Sequence, residues 1–332
     1  MSDPRASGSG EDDLIARYFR PLASASGAFG LIDDAAVLEG RGDDIVVTTD
    51  AVVAGVHFLP DDPPEAVARK ALRVNLSDLA AKGAVPAGFV LTLALPHVDE
   101  RWLAPFARGL GDDIAAYRCP LLGGDTVSTP GPVTISITAF GRVPAGAMVR
   151  RAGAQPGDRI AVSGTIGDAA LGLRLLKGAP GSGSGLSDRA RGFLVARYRE
   201  PQPRLALAAA VRGCASAAMD VSDGLAGDLA KLCAASGVTA TVTVDAVPLS
   251  EAARAALTAG VGDVETLIAG GDDYEIVCTV PPARWDAFVR QAAEAGVAIT
   301  GIGSISEGGE PPRFLDAGGR DIALARRSFS HF

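Results

Sequence analysis

The chain has 332 residues, 48% of them hydrophobic, and a formal charge of −8. That length suggests two ordinary domains, and that apolar share fills a core in each without disulfide or zinc staples. The acidic balance repels phosphate backbones, so no nucleic-acid partner is expected, and any phosphorylated ligand would need cations to bridge it to the protein.

The first residues, MSDPRASGSGEDDL, lack the basic start and apolar stretch of a signal peptide. Residues 1–12 read as disordered. Asp13 to Phe19 has helical spacing of Leu14, Ile15, Tyr18 and Phe19. Asp44 to Asp50 (DIVVTTD) is a strand. Pro64 to Gly83 is a helix with an apolar stripe of Val67, Ala71, Val74, Leu76 and Leu79, stopped by Gly83 and Pro86. Gly88 to Leu95 is a buried strand, and Glu100 to Tyr117 a second amphipathic helix. Leu121 and Leu122 lead into a glycine turn. Val133 to Val143 alternates as a strand.

A break at Pro144 to Ala147 separates two expected domains, 13–143 and 144–332. The second opens with a strand at Asp158 to Ser163 and a helix from Gly167 to Leu176. Gly178 to Gly185 (GAPGSGSG) is a loop. Helices are expected over Asp188–Tyr198, Arg204–Gly213, Gly224–Ser236 and Trp285–Gly296. Strands are expected over Thr239–Val244, Tyr274–Val280 and Ala298–Ile305. Strands and helices interleave in both halves, which makes the class mixed α/β. No GxGxxG or GxxxxGK[ST] run is present, so a nucleotide would have to be held by another device.

The four cysteines, Cys119, Cys214, Cys233 and Cys278, form no CxxC pair. They read as small buried apolar residues of a reducing compartment. No apolar run reaches the roughly 18–20 residues that span a bilayer. The expected location is cytoplasmic, with no membrane partner.

The chemistry lies in aspartates at element ends, several beside glycine. They are Asp33–Asp34, Asp50 in TTDAV, Asp78 in NLSDLAA, Asp125 in GGDT, Asp220 and Asp223 in DVSDGL, and Asp272–Asp273 in GGDDYE. Each alone could be a turn former or helix N-cap. Asp78 fits that reading least well, because it sits inside a helical stripe. Together they form a set of hard oxygen donors suited to magnesium, which takes one or two carboxylates plus waters and phosphate oxygens. Left without cations, close carboxylates would repel by ~4 kcal/mol per pair at an effective dielectric of 20.

The segments DDAAVL, TTDAVVAGVHF, KALRVNLSDLAAKGAVP, GGDT, RRAGAQPGD, MDVSDGL and GGDDYE occur in this order. Together they resemble the thiamine-monophosphate kinase family, of the superfamily that includes aminoimidazole ribonucleotide synthetase. The resemblance runs from about Leu14 to the C-terminus. It implies an N-terminal α/β domain whose sheet pairs with that of a second subunit in a homodimer, and a C-terminal α/β domain. It implies ATP as co-substrate, thiamine monophosphate as acceptor and several Mg2+ ions. Asp34, Thr48, Thr49, Asp50, Asp78, Asp125, Asp220 and Asp223 would hold metal. Gly124, Asp125, Arg151 and Ser222 would contact ATP, with Arg151 stabilising charge. His57, Asp272 and Phe329 would contact thiamine phosphate. No general base is implied. Three places depart from the family pattern: Ile32 stands where a glycine is usual, Asp272 where a glutamate is usual, and the stretch around Arg326 where a tryptophan is frequent.

Three other readings remain open. One is another ATP-using member of the superfamily. Selenophosphate synthesis is disfavoured, because the first 60 residues hold neither Cys nor Lys. A metal-dependent phosphatase would release phosphate without ATP. A scaffold that retained the fold would bind without turnover.

Overall fold

The computed structural model describes residues 15–25, 42–178 and 185–324. The chain divides into two compact units, one of Met1–Asn75 and Pro86–Arg142, the other of Leu76–Val85 and Val143–Phe332.

The first unit is built on a four-stranded sheet of order β1-β4-β2-β3. Its strands are β1 (Asp43–Val53), β2 (Val85–Leu95), β3 (Leu121–Ser128) and β4 (Thr134–Pro144). Two eighteen-residue helices follow, α1 (Pro64–Ala81), of which the part up to Asn75 belongs to this unit and the rest to the second, and α2 (Glu100–Tyr117). β2 and β3 run parallel with α2 as the crossover, the connection that parallel strands require. Asp99 caps α2 by accepting the Arg101 N–H at 2.9 Å. α1 is tied to α2 by a two-pronged pair: Arg73 Nε and Nη2 donate to the two oxygens of Asp113 at 2.7 and 2.8 Å. The Arg73 guanidinium also lies over the Tyr117 ring, 5.6 Å from its centre, which gives Tyr117 a packing role.

The expected glycine turn at 123–124 is strand instead. Gly123, Gly124 and Asp125 lie inside β3, with Asp125 opposite Thr92 of β2. A side chain at 124 would put its Cβ 1.9 Å from the Leu91 carbonyl oxygen. The glycine therefore serves close approach between two strands, not a reversal of the chain.

The second unit holds a six-stranded sheet of order β10-β7-β9-β5-β8-β6. Its strands are β5 (Arg159–Ser163), β6 (Ala217–Asp220), β7 (Val238–Thr243), β8 (Ile276–Val280), β9 (Ile299–Glu307) and β10 (Arg313–Leu315). Only β10 against β7 is parallel among these pairings. Its helices are α3 (Asp168–Leu176), α4 (Asp188–Arg199), α5 (Ala208–Cys214), α6 (Leu225–Ser236), α7 (Glu251–Thr258), α8 (Val264–Ala269) and α9 (Trp285–Glu294).

Period-two alternation distributes this sheet between two cores. Ile160 and Val162 of β5 join a cluster with Leu171, Leu194, Leu229 and Leu267. Ala161 between them joins the opposite cluster, with Val211, Phe288 and Ala292. β8 divides the same way, Val277 to the first cluster and Ile276, Cys278 and Val280 to the second. Helices therefore cover both faces.

Several elements differ from expectation. The stretch read as one helix over Arg204–Gly213 begins as a 3-10 turn, Leu205–Leu207, before α5. The described part of the first predicted helix is a single π turn, Ile15–Phe19, followed by a 3-10 turn. β3, β6, α7, α8 and β10 were not expected. No helix among the described residues is long and apolar enough to cross a membrane.

Candidate active site

In the first unit, Thr48, Thr49 and Asp50 lie within β1, which runs on to Val53 instead of ending at Asp50 as expected. Thr49 Oγ1 donates to the Ile137 carbonyl at 3.1 Å and accepts from Thr138 Oγ1 at 3.0 Å, which ties it to β4. Asp50 is exposed, and its backbone N–H donates to Asn75 Oδ1 at 3.1 Å. Asn75 is fully buried on α1 and donates from Nδ2 to the Ala71 carbonyl, also at 3.1 Å. The strand is therefore held at Asp50 by a side chain that the sequence reading passed over.

His57 sits in the turn after β1. Its Nδ1 accepts the Val53 N–H at 3.1 Å, which leaves Nε2 to carry the proton of the neutral ring. Lys70, almost wholly buried, donates to the His57 carbonyl at 2.8 Å. Gly124 and Asp125 are exposed on β3. β1 and β3 are the two outer strands of the four-stranded sheet, so Asp50 and Asp125 lie at opposite edges of it.

The second unit gathers Asp78, Arg151, Asp220, Ser222, Asp223 and Asp272. The loop after β6 and the loop before β8 are zipped together by backbone bonds. Val221 N–H donates to Glu275 O at 2.7 Å, Tyr274 N–H to Val221 O at 2.8 Å, and Asp272 N–H to Ser222 O at 2.8 Å. Gly271 permits this contact, since a Cβ there would stand 2.4 Å from the Ser222 carbonyl oxygen. Asp272 and Tyr274 both adopt left-handed backbone, with φ of 71° and 51°. Such a conformation costs roughly 1–2 kcal/mol for a side chain with a Cβ, and the zipper holds it in place.

Lys82, one turn beyond Asp78, donates to the Ala218 carbonyl of β6 at 2.8 Å. Burial pulls its ammonium below the ordinary lysine range, Asp220 and Asp78 pull it back up, and Arg151 pushes it further down. Asp220, Asp78 and Arg151 are thus each in electrostatic reach of Lys82. The charge of Lys82 is a feature that sequence reasoning missed, although it stands four residues after Asp78 on a helix, the spacing at which side chains share a face.

Asp223 is half-buried and pairs with Lys231 of α6. Lys231 also holds Asp228 at 2.8 Å. Asp228 is fully buried and accepts the Asp223 N–H at 2.8 Å. Burial alone would lower the Lys231 ammonium; its hydrogen bonds to Asp223 and Asp228 outweigh that and leave it raised. Burial pushes the Asp228 carboxyl up, opposed by Lys231.

Two acids of GGDDYE are occupied by the fold. Asp273 is fully buried and accepts the N–H groups of Gly167 and Ala169 at 2.7 and 3.3 Å, at the start of α3. Burial pushes its carboxyl well above the usual range, against those two donors. Glu275, also fully buried, accepts from Arg197 at 2.8 Å, from Ser163 at 2.6 Å and from Arg204. Asp272 is the acid of this motif that is left part-exposed.

Asp34 and Phe329, expected at the metal and thiamine sites, lie outside the described residues, as does Ile32. Among the described residues no three His, Cys, Asp or Glu side chains stand close enough to hold a metal by themselves. The four cysteines are buried free thiols.

Comparison with known proteins follows the same lines. Two family models, AIR synthase related protein, N-terminal domain, and AIR synthase related protein, C-terminal domain, match residues 32–143 and 155–314. The thiamine-monophosphate kinase of Caulobacter vibrioides is 46% identical, over 99% of this chain and 92% of that protein. The crystal structure of thiamine-monophosphate kinase from Stenotrophomonas maltophilia K279a superposes with a TM-score of 0.82 at 38% identity, covering 96% of this chain and 98% of that one. AaThiL complexed with AMPPCP and TMP superposes at 0.76 and 30% identity, over 92% and 97% of the two chains. This chain belongs to the thiamine-monophosphate kinase family of AIR synthase related proteins.

Proposed function

We propose that the chain transfers the γ-phosphoryl group of ATP to thiamine monophosphate, giving thiamine diphosphate and ADP, in one in-line step. The observation that carries this is the 46% identity to a thiamine-monophosphate kinase over nearly the whole of both chains. A further relative holds AMPPCP and TMP together, a donor analogue and an acceptor in one protein.

Magnesium suits the residues present. The candidate donors are carboxylate and hydroxyl oxygens, the hard ligands it prefers. The acids of the second unit already act on cations: Asp220 and Asp78 pull the Lys82 ammonium up, and Lys231 pairs with Asp223. Asp34, Thr48, Thr49, Asp50, Asp78, Asp125, Asp220 and Asp223 would hold the ions. Bound Mg2+ supplies the charge neutralisation that lets two anionic ligands approach.

Gly124, Asp125, Arg151 and Ser222 face ATP in this reading, with Arg151 as a fixed positive charge on the phosphates. His57, Asp272 and Phe329 face thiamine phosphate. The acceptor is a phosphate oxygen with a second pKa of roughly 6, already deprotonated at neutral pH, so no strong base is needed. Residues 13–143 would form the ATP, metal and dimerisation domain, and 144–332 the second. A homodimer is supported by β1, an eleven-residue outer strand that exposes Ile45 and Val47, and by Val127 on the other outer strand. Such edges invite pairing with another chain. An ATP-using enzyme with four buried free thiols suits the cytoplasm.

The test is a coupled ADP-release assay with thiamine monophosphate, thiamine or no acceptor, with and without Mg2+. ADP should appear only with thiamine monophosphate and Mg2+, and Asp50→Asn and Asp125→Asn should each lose on the order of a hundredfold. Phosphate released without ATP, or a phosphorylated protein trapped during turnover, would overturn the reading. Sedimentation should give twice the 33.6 kDa chain mass.

A further inference from the structure

Asp223 is expected to bind metal, yet it is already occupied. Lys231 Nζ hydrogen-bonds its Oδ2 and, 2.8 Å away on the other side, Asp228 Oδ1. Asp228 in turn takes the Asp223 N–H on its remaining oxygen at 2.8 Å. The ring of contacts is closed. Asp228 fixes the turn that carries Asp223, and Lys231 bridges the two carboxylates with its one positive charge.

The members of the ring differ in freedom. The Asp228 side chain is fully buried, whereas those of Lys231 and Asp223 are 39% and 34% exposed. The ammonium stands on four rotatable carbons at the solvent-facing edge. It can leave Asp223 while staying on Asp228. A divalent ion at the same carboxylate would stand a few ångströms from that ammonium, where like charges repel strongly even at an effective dielectric near 20.

We propose that Lys231 is a resident counter-cation that competes with divalent metal for Asp223, holding the carboxylate in place until metal displaces it. The proposal rests on the reading of Asp223 as a metal ligand. It makes Lys231 a positioning residue that lowers metal affinity, the opposite of what a supporting structural residue would do.

The test uses the full chain without nucleotide and Mn2+ as the probe, with free Mn2+ counted by electron paramagnetic resonance. Lys231→Met should tighten Mn2+ binding about tenfold, after allowance for the part-exposure of the pair. Lys177→Met, the same charge change at an exposed position, should leave it unchanged. In an Asp223→Asn background, Lys231→Met should have no further effect. If Lys231→Met folds poorly because Asp228 is left charged and buried, Lys231→Met with Asp228→Asn removes both charges and should retain the tightening. Unchanged or weaker binding in both Lys231 variants, with Asp223→Asn still weakening it, overturns the competition alone. Binding unaffected by Asp223→Asn overturns the competition together with the metal-ligand reading.

Discussion

Glu275→Gln separates the acids that build the fold from those that do chemistry. The native carboxylate is fully buried and accepts from Arg197 Nη2, Arg204 Nη2, Arg204 Nε and Ser163 Oγ. Glutamine keeps the shape but offers one acceptor oxygen, and turns an NH2 group toward guanidinium donors. It also removes the buried negative charge that both arginines share; their side chains are 8% and 25% exposed. Breaking a buried ion pair from one side costs ~3–5 kcal/mol, which for a unit of this size corresponds to a fall in Tm of roughly 6–20 °C. Differential scanning calorimetry reads it directly. The control is Arg313→Ala, which breaks the exposed Arg313–Asp321 pair and should leave Tm where it was. A Glu275→Gln protein that melts within two degrees of the parent would refute the reasoning.

Three further outcomes follow from the same geometry. Asn75→Ala removes the acceptor for the Asp50 N–H and a donor to Ala71; it should cost ~1–3 kcal/mol and raise the Mg2+ concentration for half-maximal ADP release. Asp272→Asn should lower activity without loss of Tm, because Asn tolerates the left-handed backbone at φ 71° at least as well as Asp. Burial pushes the thiols of Cys119 and Cys278 up to about 12 and Cys233 to about 11, so the native chain should resist a thiol reagent at pH 8 that labels all four cysteines in guanidinium. The sign for stability follows. The folded thiols keep protons that the unfolded ones lose near 9.0, so stability is intact below that pH and falls as pH rises toward 11–12. Each thiol contributes a slope of about 1.4 kcal/mol per pH unit, and Cys119→Ala should flatten the alkaline melting curve.

Where one face of an element is buried, the sequence is legible. The stripe of α1 and the alternation of β4 follow from side chains that must meet a core, and both elements appear close to their expected bounds. β3 does not, because LLGGDTVS carries the two glycines that normally signal a turn; what Gly124 answers is the Leu91 carbonyl, on a strand 33 residues earlier in sequence. α7 and α8 are one or two turns long; α7 buries only alanines and α8 only Leu267 and Ile268, too little of a period to read alone. β6 is four buried residues, AAMD, and only β8 beside it makes it a strand. Among candidate site residues, types and order are visible in the chain. Their support is not: Asn75, Lys82 and Lys231 reach their partners across 25, 136 and 8 residues respectively, and no local pattern encodes such distances.

The GGDDYE segment illustrates how one short motif can carry both duties. Its backbone turns left-handed at Asp272 and again at Tyr274, so alternate side chains face opposite ways. Asp273 and Glu275 point inward, one capping the start of α3, the other bridging two arginines. Asp272 and Tyr274 remain part-exposed. The inward pair would be intolerable without those donors, since a buried carboxylate needs its oxygens filled. With them filled, the loop becomes a rigid mount locked to the loop of Ser222 and Asp223 by three backbone bonds. Acidity therefore says little about role in this chain. What distinguishes Asp223 and Asp272 is that they reach the surface, whereas Asp273 and Glu275 are enclosed, one by backbone N–H groups and the other by arginines.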